Sequence, residues 1–293
     1  MRRKPDEDKI WLETENITHD YKQQSIMDEI AEYNIKRWQA LADADALFTR
    51  PNLALTPESA REFLDAEEML GDLTGKDVLC LASGGGQQSA AFALLGANVT
   101  VFDLSEAQLE RDKQAAEHYN LSIRVTQGDM RDLSAFDPAS FDLVYQPFSI
   151  GYVPDVKIVF AQVAKILRPG GMYYLANDNP FYCGMSAADW NGEGYTLKAP
   201  YLDEALYVSP DPDWVYARSA RPLPAVREAH LYRHTLANML NSLLGLGFSL
   251  LHVSDSKHIY PDAAAEPGSW DHFVAYAPVY LGLWMRYQPD NSK

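Results

Sequence analysis

The chain has 293 residues, 47% of them apolar and 23% charged, which suffices for one large core or two small ones and excludes a disordered polymer. With 25 basic against 41 acidic residues the formal charge is −16; such a surface repels phosphate backbones and argues against a nucleic-acid substrate. No apolar run is long enough to span a membrane, no hydrophobic stretch follows the basic start as in a secretory signal, and the two cysteines, Cys80 and Cys183, make neither a disulfide framework nor a Cys-rich zinc site, so the expected location is the cytoplasm.

In chain order, residues 22–42 carry Ile26, Ile30, Tyr33, Trp38 and Leu41 at helical spacing. Thr56-Pro57 opens a second helix, with Phe63, Leu64 and Met69 behind it. From Gly75 strands alternate with helices: a strand at Asp77–Ala82, a helix at Gln87–Leu95 closed by Gly96, and a strand at Asn98–Asp103. A helix then runs from the capping box Ser105–Gln108 to Tyr119. Strands at Ser122–Gln127 and Phe141–Tyr145 follow, then a helix at Val153–Leu167 stopped by Arg168-Pro169-Gly170-Gly171, and a fifth strand at Met172–Ala176. Residues 178–229 are rich in Pro, Tyr, Trp, Asp and Gly with little periodicity, the mark of an insertion. Regular structure resumes with a helix at Thr235–Leu244 and strands at Phe248–Val253 and Val279–Tyr287, the last expected to be antiparallel because the intervening segment is short for a crossover. The expected fold is α/β: a doubly wound, mostly parallel, seven-stranded sheet in one structural domain. Residues 1–70 form a helical cap, 71–293 the core, and 178–229 a lid over the substrate.

The chemistry concentrates after the first strand, where Val78–Ala82 runs into Ser83-Gly84-Gly85-Gly86-Gln87 and then a helix. Glycines there let the backbone approach a ligand, and a helix start offers free N–H groups. Asp103 ends the adjacent strand, where a carboxylate can accept bonds from ribose hydroxyls. Together they indicate a nucleoside-type ligand, either a nicotinamide dinucleotide or S-adenosylmethionine. The dinucleotide fingerprint wants a small residue at Ser89, so later segments decide.

Gln127-Gly128-Asp129-Met130 after the third strand, Phe141–Tyr145 as the fourth, and Leu167-Arg168-Pro169-Gly170-Gly171 before the fifth complete a series. It resembles the class I, Rossmann-like S-adenosylmethionine-dependent methyltransferases, particularly the small-molecule branch of the ubiquinone/menaquinone-biosynthesis type. The resemblance spans residues 70–176, and more loosely 230–255. It implies S-adenosylmethionine as cofactor, with S-adenosylhomocysteine as product. Gly84 and Gly86 would pass under the methionine portion, with Ala82, Ser83 and Gln87 beside them. Asp103 and Leu104 would meet the ribose, Asp129 the adenine amino group and Met130 its ring. Gln146, Pro147 and Phe148 would sit beside the departing methyl. The family's acid-x-Gly-x-Gly-x-Gly pattern reads here Cys80-x-Ala82-x-Gly84-x-Gly86, so its acid and first glycine are replaced.

His234, in a polar cluster before the helix at Thr235, matches a histidine that faces the acceptor pocket in some small-molecule members. It is the candidate base, with Tyr152 and then His230 behind it. Tyr152, Trp190, Tyr195 and Trp214 are candidate lid aromatics. No metal site is expected, since His230 and His234 are not part of a His-Glu-x-x-His motif; Gly-x-Ser-x-Gly is also absent, which argues against a hydrolase. The expected partner is a small-molecule methyl acceptor, without nucleic acid or membrane. A non-catalytic cofactor-binding protein and a nicotinamide oxidoreductase are the alternatives.

Overall fold

A computed structural model describes residues 29–182, 184–209, 226–255 and 260–289. The first turns of the helix expected from 22, the thiol Cys183, Trp214 and the stretch 210–225 of the insertion lie outside the described residues. Residues 29–43 are helical (α1). Helix α2, Pro57–Leu64, starts on a complete capping box, in which Thr56 and Ser59 each accept the other's backbone N–H. Strands β1 (Asp77–Leu81), β2 (Asn98–Asp103), β3 (Ile123–Gln127), β4 (Phe141–Pro147) and β5 (Leu167–Asp178) alternate with α3 (Gln88–Leu94), α4 (Glu106–Tyr119) and α5 (Val156–Ile166). Ser105 caps α4 by accepting the Gln108 N–H, and Asn120 ends it in the left-handed conformation.

These strands and two later ones, β8 (Phe248–Ser254) and β9 (Tyr280–Tyr287), form a seven-stranded sheet ordered β3-β2-β1-β4-β5-β9-β8. The first five are parallel, and β9 enters antiparallel to both β5 and β8. Successive β1 side chains serve opposite faces: Leu79 and Leu81 join the core under α5, while Val78 and Cys80 join the core with Phe92 of α3. All four are fully buried, as a central parallel strand covered on both sides requires.

Three features differ from the sequence reading. Strand β5 begins at Leu167, so the segment Arg168–Gly171 belongs to it rather than to a loop, with an irregularity opposite Phe141 and Leu143. Arg168 holds this segment in register by donating to Asp142 at 2.7 Å and Asp77 at 2.8 Å, which ties together the starts of β5, β4 and β1. The insertion contains a ribbon, β6 (Ala205–Ser209) paired antiparallel with β7 (Ala229–Arg233). Its strands are half-exposed and too short for a periodic signal. Helix α6 (Leu236–Gly245) follows β7, and helix α7 (Trp270–Tyr276), capped by Ser269, fills the link between β8 and β9 where no helix was expected. At seven residues, α7 gives a window below what helical periodicity can establish.

Candidate active site

The carboxyl ends of β1, β2, β4 and β5 open onto one cavity of about 1410 Å³, where Ala82, Asp103, Pro147 and Ala176 mark the four strand tips. Such a crevice, at the reversal of strand order between β1 and β4, is the usual ligand site of doubly wound sheets. Helix α1 covers it with Asn34, Arg37, Trp38 and Leu41.

The first half of the cavity is made chiefly of backbone. Chain direction changes at Ala82, whose φ of +45° is left-handed, a conformation that costs a residue with a Cβ about 1 kcal/mol. Asp103 then joins two loops: one carboxylate oxygen accepts the Gly84 N–H at 2.8 Å and the other the Ser105 N–H at 2.8 Å. Burial raises its pKa, opposed by hydrogen bonds from the backbone of Ser105, Gly84 and Leu104. A Cβ on Gly84 would lie 2.7 Å from Gln108 Cβ and 3.1 Å from Asp103 Cγ. Gly86, with φ +73°, has a different task, because a Cβ there would lie 2.5 Å from the Arg111 carbonyl oxygen and 2.9 Å from Ala115 Cβ. Gly86 therefore admits α4 and is not part of the cavity wall, whereas Ala82, Ser83, Gly84, Gln87, Asp103 and Leu104 are.

Asp112 of α4 escaped the sequence reading. Its carboxylate accepts the N–H groups of Gly85 at 3.0 Å and Gly86 at 3.1 Å and the hydroxyl of Ser89. Burial pushes its pKa up to about 7, against those three hydrogen bonds and with the nearby charge of Asp103 adding to the rise. The available signal was an acid within the buried stripe Gln108, Leu109, Asp112, Ala115, a position where a charge needs dedicated partners.

Beyond β3, Asp129 and Met130 line the cavity. Arg131 grips the Asp129 carboxylate with Nε at 2.8 and 2.9 Å from its two oxygens, and with Nη2. Gln146 turns away from the cavity. Its fully buried amide donates to Met130 Sδ at 3.2 Å and accepts the Tyr173 hydroxyl at 2.5 Å. Alternation along β4 sends Gln146 into the core and leaves Tyr145 and Pro147 at the wall, which Phe148 continues just past the strand end. Among the described residues the buried atoms Asn34 Oδ1, Gln108 Oε1 and Ser149 Oγ, all on cavity-lining side chains, have no hydrogen-bond partner. A polar ligand would satisfy them.

The second half is made of side chains. Phe148, at φ +49°, ends β4 and meets Tyr280 edge to face at 5.2 Å. Asp178 ends β5; its carboxylate accepts the Tyr207 hydroxyl of β6 at 3.3 Å, and burial lifts its pKa to about 6 against that bond. Tyr182, Trp270 and Phe273 extend the aromatic wall. Tyr152 also lines it, accepting from Arg37 Nη1 at 3.4 Å with its ring 6.0 Å from that of Trp38.

His234 is not brought to the cavity. Asp203 accepts the Thr235 N–H at 2.7 Å and its hydroxyl at 2.9 Å, which starts α6 immediately after β7 and leaves the His234 ring buried against the backbone of Ile150 and Val153. Burial lowers its pKa, the wrong direction for a group that must take up a proton. His230 is spent in a stack on Tyr33 at 4.0 Å. Trp190 and Tyr195 pack on His272, Phe273 and Tyr276, so they anchor the insertion to α7 and do not line the cavity. Among the described residues no group of three or more His, Cys, Asp or Glu is placed to hold a metal ion.

A family model described as a methyltransferase domain matches residues 79–175. Over 189 residues the chain is 42% identical to Uncharacterized methyltransferase YbaJ of Bacillus subtilis, covering 63% of this chain and 70% of that protein. The chain belongs to the class I S-adenosylmethionine-dependent methyltransferases. This methyltransferase is also 27% identical over 227 residues to a ubiquinone biosynthesis O-methyltransferase of Chromobacterium violaceum, covering 76% of this chain and 90% of that one. A solved S-adenosylmethionine-dependent methyltransferase from Mesorhizobium loti superimposes with a TM-score of 0.57 at 26% identity, covering 78% and 99% of the two chains. The cofactor is S-adenosylmethionine. The residues present fit it: the Gly84 cradle, the Asp103 carboxylate and the unpartnered polar atoms at the wall all await a polar ligand. The Cys80 and Ala82 replacements leave that cradle standing, since Asp112 holds the glycine loop from behind.

Proposed function

We propose that this methyltransferase modifies a small molecule held in the second half of the cavity, between Phe148, Asp178, Tyr207 and α7. The reading rests on one observation: a single cavity joins the backbone-built cradle at Ala82–Gly84 to this aromatic lobe, with the tips of β4 and β5 between them. In it, Ala82, Ser83, Gly84 and Gln87 hold the methionine portion of the cofactor, Asp103 and Leu104 the ribose, and Met130 the adenine ring. Asp129, oriented by Arg131, reaches the adenine amino group. When bound, the cofactor supplies a methyl group on a positively charged sulfur. The chain then has to align the acceptor and exclude water. Pro147 and Phe148 form the floor of that alignment, and Trp38, Leu41 and Tyr152 close the cavity from the α1 side. The described residues of the 1–70 segment act as a cap and those of 178–229 as a lid on one structural domain, and of the latter Tyr182, Lys198 and Tyr207 reach the cavity. The enzyme works in the cytoplasm, without nucleic acid or membrane as partner; among the described residues no helix is long and apolar enough to cross a membrane.

Calorimetric titration with S-adenosylhomocysteine tests the cofactor half. Asp103→Ala should weaken binding by about 1.5–3 kcal/mol, the cost of losing charge-assisted hydrogen bonds. Wild-type affinity in that variant would mean that Asp103 only ties the two loops together.

A further inference from the structure

We propose that the aromatic lobe takes a protonated amine, which binds Asp178 through its ammonium group and gives that carboxylate its proton for methyl transfer to nitrogen. The proposal rests on the small-molecule reading above and specifies its substrate. Asp178 lies two residues beyond Ala176, which pairs with Pro147 at the tip of β4, so its carboxylate stands about 7 Å further out along the strand direction. It is the last residue of β5 and half-buried at the wall. Tyr207 from β6 donates to it, and Tyr280 from β9 pairs with it across the sheet. A carboxylate flanked by the tyrosines Tyr207 and Tyr280 suits an ammonium ion, by a charge-assisted hydrogen bond with cation–π attraction beside it.

The charges of the wall agree. Glu62, Glu67, Asp103, Asp129 and Asp178 line the cavity against Arg37, Arg131 and Lys198. Each cation is engaged elsewhere: Arg131 with Asp129, Lys198 with Asp189, Arg37 with the Arg227 carbonyl oxygen and the Tyr152 hydroxyl. Among the described residues no ion pair reaches Asp178. An anionic acceptor would meet uncompensated negative charge there, and a neutral one would leave the carboxylate half-buried without a counter-charge. The pKa of about 6 leaves Asp178 ionised at neutral pH yet nearer to an amine than an ordinary aspartate. The ammonium proton passes to the carboxylate, and the freed nitrogen lone pair forms the new N–C bond as the methyl–sulfur pair leaves with sulfur. The proton on Asp178 then returns to water, and the product is a methylated ammonium.

Calorimetric titrations of the full chain saturated with S-adenosylhomocysteine, using phenethylamine, phenethyl alcohol and phenylacetate at pH 7.5, test the assignment. Phenethylamine should bind at least about 10-fold tighter than either isostere. Asp178→Asn should remove that preference while S-adenosylhomocysteine binds as before, which also shows that the variant folds. In the wild type, amine affinity should fall as pH drops through about 6 and Asp178 protonates. Equal or tighter binding of the alcohol or the acid, no binding by any of the three, or an undiminished amine preference in Asp178→Asn would overturn the proposal. Failure of S-adenosylhomocysteine itself to bind would strike at the cofactor site instead.

Discussion

Around Asp103 the cavity is made of main-chain groups from two short loops, after β1 and after β2; around Asp178 it is made of side chains from β4, β5, β6, β9 and α7, up to about 130 residues apart. Backbone recognition writes itself into sequence as glycines at fixed spacing, because only the absence of a Cβ lets the chain approach a ligand or a neighbouring helix. Side-chain recognition leaves no such local trace. The difference explains why the cofactor could be inferred from a dozen residues while the acceptor could not, and it makes the two halves separable by mutation.

The harshest break is expected in the first half, from Gly86→Ala. A Cβ 2.5 Å from the Arg111 carbonyl oxygen and a φ of +73° should together cost about 3–5 kcal/mol. Urea denaturation would measure it, and a loss below about 1 kcal/mol would show that α4 does not need this close approach.

That prediction also marks how far the sequence could be read. The strands β1–β5, their parallel arrangement and the antiparallel β9 were legible, because buried strands, caps and glycine turns are local patterns. Gly84 and Asp103 were legible for the same reason. Gly86 was placed under the cofactor, since spacing alone does not tell which side of a loop a missing Cβ faces. Gln146 and His234 were placed at the wall because their positions in the chain are right; strand alternation turns the first inward, and the junction of β7 with the Thr235 cap of α6 turns the second. Asp112 and Asp178 went unnoticed because their significance lies in what surrounds them: one meets the glycine loop across a helix packing, the other is enclosed by a ribbon and a helix too short to foresee.

Asp112 offers a sharper test. Folding lifts its pKa from the ordinary aspartate range to about 7, so the folded state keeps a proton that the unfolded chain releases. Its contribution is full below about pH 4 and is lost as pH rises through about 7, an effect of about 2–4 kcal/mol. Asp112→Asn should remove this part of the decline in stability between pH 4 and 8. A denaturation series across that range with the same slope in both proteins would leave the carboxylate ionised throughout and its burial compensated. The variant should also weaken S-adenosylhomocysteine binding while sparing any preference in the aromatic lobe, since Asp112 bonds the glycine loop and Ser89 of α3 and does not line the cavity.

The gentlest change is Ala82→Gly, which restores the glycine usual in the family. It removes a left-handed alanine at the cost of a more flexible unfolded chain, for a net stabilisation of about 0.5–1 kcal/mol. A thermal melt shifted downward would show that Ala82 is held without strain.

Tyr145, Tyr174 and Trp284 stack across β4, β5 and β9, and the Trp284 indole is fully buried, with no partner for its N–H among the described residues. Two further indoles, Trp38 and Trp270, stand at the cavity wall on α1 and α7. The enzyme thus carries its own optical reporters. Trp284, behind the cavity-lining Tyr145 and Tyr174, is a short-wavelength emitter, while Trp38 and Trp270 answer to events at the α1 and α7 parts of the wall. Subtracting the emission of a variant with either wall indole replaced by phenylalanine from that of the wild type would isolate that indole among the six tryptophans, a signal with which to time events at α1 and at α7 separately.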